Sequence, residues 1–177
     1  YMPVFESAAM IPPQTRREAL TEVRAQLDTV SGSILNIRVG GNDLSHAFGL
    51  RRPANRTIYD LRPVADILID IVAAFGTQDV VSGPVWEYYS GEGWEEGLRR
   101  EMELDLLIHP NQIPVVNEML RVSQRDYADA RAILNWDTGS GSLVSASEDG
   151  GRMNEYNTHS RWARRIVLRA ERYGVRA

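Results

Sequence analysis

The chain has 177 residues, of which 43% are hydrophobic and 25% are charged, a composition typical of a compact globular protein. Its formal net charge of -4 argues against nucleic-acid binding, because neutralising phosphates requires a clustered basic surface. No stretch approaches the roughly 18 consecutive apolar residues of a membrane span, so we expect a cytoplasmic protein without a membrane partner. Cysteine is absent, which excludes disulfides, thiolate metal sites and a cysteine nucleophile.

Arginine supplies all 20 basic residues, and the sequence contains no lysine. A Schiff base between a lysine amine and a carbonyl substrate is therefore excluded. If the chain performs chemistry next to a carbonyl group, a metal ion or an arginine must stabilise the enolate. Any metal must be held by oxygen or imidazole ligands.

The first half of the chain alternates short β-rich runs with amphipathic helical stretches. Leu20, Val23 and Leu27 recur at helical spacing after two prolines, and a broad apolar stripe before Gly76 indicates a second helix. In chain order, the pattern predicts a strand over 1–6, a helix over 14–30, a strand over 34–39, a brief helical turn over 44–48 and a helix over 62–75.

The second half continues the alternation and then changes character. The pattern predicts a strand at 80–81, a helix ending near 102, a strand over 104–108, helices over 114–121 and 126–134, a Gly/Ser-rich loop over 138–151 and an arginine-rich helix over about 159–173. We expect this last helix to make an oligomer contact.

Strands that alternate with helices at this spacing predict an α/β fold with parallel strands, either a doubly wound sheet or a (β/α)8 barrel of the TIM type. Four strands are too few to close an eight-stranded barrel. The count fits the C-terminal half of a barrel or a truncated barrel over 1–135, followed by the Gly/Ser-rich loop and the last helix over 136–177. Because the chain begins directly in a strand, we expect it to be a piece of a longer protein.

Two acidic residues follow neighbouring predicted strands. Glu6 ends the first strand, and Asp43 follows the second strand after a Gly-Gly turn. The carboxyl ends of parallel strands converge on one edge, so the two carboxylates could face one ion, and Mg²⁺ prefers such oxygen ligands. The alternative is that each residue caps the helix after its strand.

Four segments resemble, in order, the citrate lyase beta subunit and malyl-CoA lyase family: MPVFES, GGNDLSHAFGLRR, SGPVWEYY and LLIHPNQIPVVNEML. The sequences of two segments, GLRRPANRTIYD and RMNEYNTHSRWA, more closely resemble those of the citrate-lyase-like proteins found beside bacterial tellurite-resistance genes. The resemblance spans nearly the whole chain. It implies a β/α-barrel lyase that breaks or forms carbon–carbon bonds next to a carbonyl, on CoA thioesters or 2-oxo acids.

The resemblance also implies site residues and partners. Glu6 and Asp43 match the family's metal ligands for Mg²⁺, with Mn²⁺ as an alternative. Glu155 matches a carboxylate that a neighbouring subunit delivers on a loop as acid or base, with a solvated loop as the alternative. The family forms homo-oligomers, so a trimer or hexamer is expected, with a small carboxylate or acyl-CoA as substrate. The family's enolate-stabilising arginine would precede Tyr1, unless Arg51 or Arg52 replaces it.

Further residues are candidates for substrate binding. These are Gly41 and Asn42 in the turn, Arg51 and Arg52 as a carboxylate clamp, and Trp86 at a strand end. Surface ion pairing is the alternative for the arginines, and core packing is the alternative for Trp86. We interpret His109 as structural, and His46 alone in a turn is weak evidence. The rival function is a lyase-fold scaffold that has lost its chemistry.

Overall fold

A computed structural model of the chain describes residues 1–102, 110–136, 144–147 and 150–177. The chain forms two compact units, Tyr1–Val115 and Val116–Ala177. We expected a division between 135 and 136, whereas the contacts divide the chain after Val115. In the described part of the chain, no helix is both long and apolar enough to cross a membrane.

The first unit is built on a parallel sheet of three short strands in the described residues, β1 (Val4–Phe5), β2 (Ile37–Val39) and β3 (Val81–Ser82). They lie side by side in the order β1, β2, β3. The predicted α/β fold is confirmed by this arrangement. The predicted strand over 104–108 and His109 lie outside the described residues.

Among the described residues, three helices lie between or directly after these strands as far as Phe75, and two more follow β3. They are α1 (Pro13–Asp28), α2 (Gly41–Ala47), α3 (Arg62–Phe75), α4 (Trp94–Glu101) and α5 (Ile113–Leu120), with 3-10 turns at Ala8–Met10, Ser31–Ser33, Ile58–Asp60 and Pro110–Gln112. The first helix begins at Pro13, where the missing backbone N–H costs no hydrogen bond. An ion pair of 2.7 Å between Arg16 and Asp70 joins α1 to α3.

One face of this sheet is covered by helices. Alternate strand residues point to opposite faces, and Phe5, Ile37 and Val39 are buried on the covered face. The stripe of α3 that packs into the same core consists of Val64, Ile67, Leu68, Ile71 and Phe75. The other face carries the residues between them, of which Glu6 is exposed and Arg38 is half-buried.

The described part of the second unit contains two small β pairs and two packed helices. The strands β4 (Val122–Ser123) and β7 (Val175–Arg176) pair in parallel, and β5 (Val144–Ala146) and β6 (Met153–Glu155) form an antiparallel pair. The helices α6 (Gln124–Leu134) and α7 (Tyr156–Tyr173) pack through small and branched residues. The buried residues of this core are Val122, Ala130, Ile133, Ala163, Ile166 and Ala170.

Most predicted helices are confirmed, and the β structure of the second unit was missed. The helix over 62–75 has the predicted bounds, and those over 14–30, 114–121 and 126–134 differ by a few residues. The prediction of a loop throughout 138–151 is wrong at Val144–Ala146, which is a strand. This strand forms because β6 supplies its backbone hydrogen-bond partners. The Gly/Ser-rich composition of the segment does not predict a strand.

Candidate functional site

The carboxyl ends of β1 and β2 bring Glu6 and Gly40 side by side. Phe5 pairs with Val39 in the sheet register, and the Gly40 N–H donates a hydrogen bond of 3.0 Å to the Phe5 carbonyl. The Glu6 side chain lies over Gly40, because a Cβ built on Gly40 would be 2.5 Å from the Glu6 Cβ. Gly40 has a φ of -83°, which any residue adopts, so the position requires glycine for space.

Asp43 stands at the same edge of the sheet, in the first turn of α2. The helix begins at Gly41, directly after β2, and the Leu44 N–H donates to the Gly40 carbonyl at 3.0 Å. Asp43 is exposed, as is Glu6. A negative charge in the first turn of a helix also interacts favourably with the helix dipole. The short turn therefore places both predicted metal ligands at the carboxyl end of adjacent strands.

These two carboxylates suit Mg²⁺, which usually binds one or two protein carboxylates and completes its octahedron with water or substrate oxygens. Within the described residues, no group of three or more metal-binding side chains is found. A pair of exposed oxygen ligands is a poor site for Zn²⁺, which prefers a closed set of nitrogen and sulfur ligands. The metal assignment of Glu6 and Asp43 stays a prediction with a fitting donor set.

Gly41 and Asn42 differ in what they offer to a ligand. Gly41 is buried, and a Cβ on it would lie 2.8 Å from the Pro84 Cγ atom, so its role in the structure is to let the loop after β3 approach α2. Asn42 is exposed beside Asp43 and is accessible to a ligand. His46 is exposed in the last turn of the same helix.

Replacing Gly40 by alanine is expected to push the Glu6 side chain away from β2. The new methyl group would meet the Cβ of Glu6, which cannot move without its backbone. We expect a loss of about 1 to 3 kcal/mol in the free energy of unfolding, measured in urea. Gly32→Ala is the control, because a Cβ at Gly32 meets nothing within 4 Å. Equal stability of the two variants would contradict the proposed contact.

Arg52 and Trp86 are interior residues in the structure, which differs from their predicted contact with substrate. Arg52 is 2% exposed and forms an ion pair with Glu101, which is fully buried. The Arg52 guanidinium also donates a hydrogen bond of 2.8 Å to the Val85 carbonyl. It lies over the Trp86 ring, with its Cζ atom 4.5 Å from the ring centroid. Burial of a cation requires such partners, and here they occupy the group that was expected to clamp a ligand.

The loop after β3 is held by the same buried cluster. The Gln112 side-chain amide donates to the Trp86 and Tyr88 carbonyls at 2.9 and 2.8 Å, and the Tyr88 hydroxyl donates to the Arg52 carbonyl at 2.7 Å. Gly97 allows α4 to lie against the Trp86 ring, where a Cβ would approach the ring carbons to 2.5 Å. These contacts fix the loop at the carboxyl end of β3.

Arg51 is the arginine of the pair that remains accessible. Its side chain is 81% exposed, with its Nε atom 3.5 Å from a carboxylate oxygen of Glu87. Such an exposed pair contributes little to stability. Arg51 is accessible to a ligand, and its predicted role in binding substrate stays a prediction.

Glu155 lies in regular structure, so the expectation of an irregular loop is wrong at this position. It is the last residue of β6, where it pairs with Val144, and α7 begins directly after it. The Glu155 N–H donates a hydrogen bond of 3.0 Å to the His159 Nδ1 atom, one helical turn later. The second unit thus fixes the backbone of Glu155, and its catalytic role stays a prediction.

Arg38 is a candidate that the motif analysis missed. It lies in β2 between two buried residues, Ile37 and Val39, so the period of two assigns it to the opposite face of the sheet from the core. That is the face of Glu6. The alternation of apolar and charged residues in the sequence was the available signal.

Comparison with known proteins identifies related folds. A family model described as a C–C bond lyase of the TIM-barrel fold matches residues 1–175. A search of curated proteins finds no match. Among solved structures, the chain is similar to the protein CitE from Mycobacterium tuberculosis, solved in complex with magnesium, acetoacetate and coenzyme A, with 26% sequence identity and a TM-score of 0.53. The match covers 78% of this chain and 52% of CitE, so this chain spans about half the length of that protein.

Proposed function

Because the chain belongs to the C–C bond lyase family of the TIM-barrel fold, we propose that it works in a Mg²⁺-dependent cleavage of a carbon–carbon bond next to a carbonyl group. The predicted resemblance to the lyase superfamily is confirmed by the family match and the similarity to CitE. The link to tellurite-resistance proteins stays part of the proposal, as does the assignment of the chain to the C-terminal half of a barrel.

One observation carries this proposal: the close packing of Glu6 on Gly40 sets the Glu6 carboxylate at the strand edge where α2 begins, and Asp43 lies in the first turn of that helix. These two residues would hold the metal, and both are exposed to a ligand. A bound Mg²⁺ would act as a Lewis acid that polarises the substrate carbonyl and stabilises the enolate formed on cleavage. Asn42 would contribute a neutral hydrogen-bonding group next to the metal ligands.

The proposed substrate is a small carboxylate, as a CoA thioester or a 2-oxo acid. The similarity to CitE supports this class, because its structure contains magnesium, acetoacetate and coenzyme A. Arg51, with its exposed guanidinium, would bind an anionic group of such a substrate. Glu155 would transfer the proton, and the trimeric or hexameric assembly expected for the family would bring it to a neighbouring site.

Asp43→Asn is expected to weaken Mg²⁺ binding by tenfold or more, because the amide removes a negative charge from a hard cation's ligand set. Glu6→Gln should have the same effect, whereas Asp66→Asn, an exposed carboxylate on α3, should leave the affinity unchanged. Calorimetric titration of the full-length protein with Mg²⁺ measures all three variants. Unchanged affinity in both ligand variants would remove the metal site.

A lyase assay separates the enzyme from the scaffold alternative. The full-length protein should cleave 3-hydroxyacyl-CoA thioesters or 2-oxo diacids in the presence of Mg²⁺. Asp43→Asn should lose cleavage activity in parallel with its affinity for Mg²⁺. Intact metal binding without cleavage of any of these substrates would favour a scaffold that has kept the fold and lost the chemistry.

A further inference from the structure

The open face of the sheet in the first unit carries polar side chains beside the exposed Val4. Asn36, Arg38 and Ser82 share this face by the period of two, and the Asn36 amide donates a hydrogen bond of 2.6 Å to the Ser82 hydroxyl. Branched apolar residues usually fill the interior of a closed barrel. Here the layer of Val4, Arg38 and Ser82 contains two polar side chains, which are suited to a ligand, and Arg38 is its cation.

Arg38 lies directly below the predicted metal ligands. In the sheet register, Arg38 is level with Val4 and Ser82, so Glu6 and Gly40 stand two residues further along their strands on the same face. Two residues of a strand rise by about 7 Å. A ligand bound at the strand edge by Glu6 and Asp43 is therefore within reach of the long Arg38 side chain.

The Arg38 side chain has no anionic partner among the described residues. Its Nε atom is buried and without a hydrogen-bond partner, and Arg38 takes part in none of the ion pairs in that part of the chain. Other buried or half-buried arginines of the first unit do have carboxylate partners, as Arg16 and Arg24 show with Asp70 and Asp79.

Partial burial of a cation without a counterion is unfavourable, and an anion that binds beside it relieves the cost. Among the described residues of the sheet, Glu6 is the acidic residue nearest to Arg38 on this face by register, and the two form no ion pair. The guanidinium is thus available for an anion from outside the chain. Its fork of N–H donors matches the two oxygens of a carboxylate.

We infer that Arg38 is a substrate-binding residue that recognises the negative charge of a carboxylate on the open face of the sheet, below the metal ligands. This inference rests on the proposed function, since it takes the strand edge as the place where the ligand binds. The inference restricts the substrate to an anionic oxo acid. One oxygen of this acid would bind at the strand edge with Glu6 and Asp43, and its carboxylate would bind Arg38. Neutral carbonyl compounds of the same shape should bind poorly.

The test compares a charged ligand with its uncharged analogue. Acetoacetate and methyl acetoacetate differ by the carboxylate charge, and ligand-observed NMR gives the affinity of each for the full-length protein with Mg²⁺ and without it. The wild type should prefer acetoacetate. Arg38→Gln should weaken acetoacetate binding by about tenfold or more, the usual size of a charge-assisted hydrogen bond, and leave methyl acetoacetate within about twofold.

Two further variants make the result specific. Arg17→Gln removes the same charge from an exposed position on α1 and should change neither affinity. Arg38→Lys keeps the charge and should restore part of the preference for acetoacetate, and circular dichroism confirms that each variant is folded.

The inference is overturned if Arg38→Gln binds acetoacetate as the wild type does, if the wild type binds the ester equally well, or if it binds neither compound. Titration with Mg²⁺ alone tests the metal site separately. If the wild type does not bind Mg²⁺, the proposed metal chemistry is wrong. The preference for acetoacetate over its ester still decides the role of Arg38 in that case.

Discussion

Glu101→Ala is expected to lower the free energy of unfolding by about 3 to 5 kcal/mol, because it removes one side of a buried ion pair, the carboxylate that binds the Arg52 cation. Glu101 is fully buried, and its carboxylate receives the Arg52 guanidinium and a hydrogen bond of 2.8 Å from the Ile58 N–H. Removing the side chain takes this acceptor away from both donors. Urea unfolding followed by circular dichroism measures the loss.

Matched variants separate the charge from the shape. Glu101→Gln keeps an oxygen for the Ile58 N–H and removes the charge. Its free energy of unfolding should therefore lie between those of the wild type and Glu101→Ala. Glu95→Ala, on the same helix, breaks an exposed pair with Arg99 at 3.4 Å and should cost no more than about 0.5 kcal/mol. If Glu101→Ala were as mild as Glu95→Ala, the buried pair would not hold the loop after β3.

The placement of Glu6 and Asp43 at one edge of the sheet could be predicted from the sequence because it depends on local patterns. A stripe of apolar residues before Gly76 sufficed for α3, and a Gly-Gly turn after a β-rich run sufficed to place Asp43 at a strand end. The carboxyl ends of neighbouring parallel strands meet at one edge whatever the other residues are. The approach of Glu6 to Gly40 follows from this geometry.

The buried pair of Arg52 and Glu101 could not be predicted. The two residues are 49 positions apart in the sequence, and each sits among other charged residues that are exposed. Sequence patterns report the spacing of residues within an element, whereas this pair depends on packing between α4 and the segment before Ile58. For that reason the sequence predicts a ligand clamp at Arg52 and gives no sign of its buried partner.

The strands of the second unit were missed for another reason. β4 and β7 have two residues each and β5 has three, too few for an alternation of period two to show. Their stability comes from partners elsewhere in the chain. Arg152 is the clearest case, since it joins the β6 side of the hairpin to α6 through two carboxylates.

Arg152→Gln is expected to lower the local stability of the second unit by about 2 to 4 kcal/mol at neutral pH, because it leaves a buried carboxylate without a cation. Arg152 binds Asp126 at 2.8 Å and Asp129 at 2.6 Å, and the Asp129 side chain is 4% exposed. Asn154 donates a further hydrogen bond of 3.1 Å to Asp129. Hydrogen exchange of the amides of β6 and α6, followed by mass spectrometry, measures the change.

Arg164→Gln is the control, because Arg164 is exposed on α7. It removes the same charge without touching the carboxylates. Equal exchange rates in Arg152→Gln and Arg164→Gln would contradict a stabilising role for the Arg152 pairs.

The difference between the wild type and Arg152→Gln should shrink in acid. Burial raises the pKa of Asp126, but the hydrogen bonds from Ser123 and Arg152 outweigh it, so this pKa lies below its ordinary value. A carboxyl group whose pKa is lowered by folding stabilises the folded state above its unfolded pKa of about 3.9, and this contribution is lost as the pH falls through the folded pKa. The hydrogen bond to Asp126 raises the pKa of Arg152, which matters only in strong alkali. The stability difference should therefore be constant from about pH 6 to 8 and fall below about pH 4. A difference that stayed constant into acid would show that Arg152 acts by packing on Trp162 instead of by pairing with Asp126, because neither Arg152 nor Trp162 changes its charge in that range.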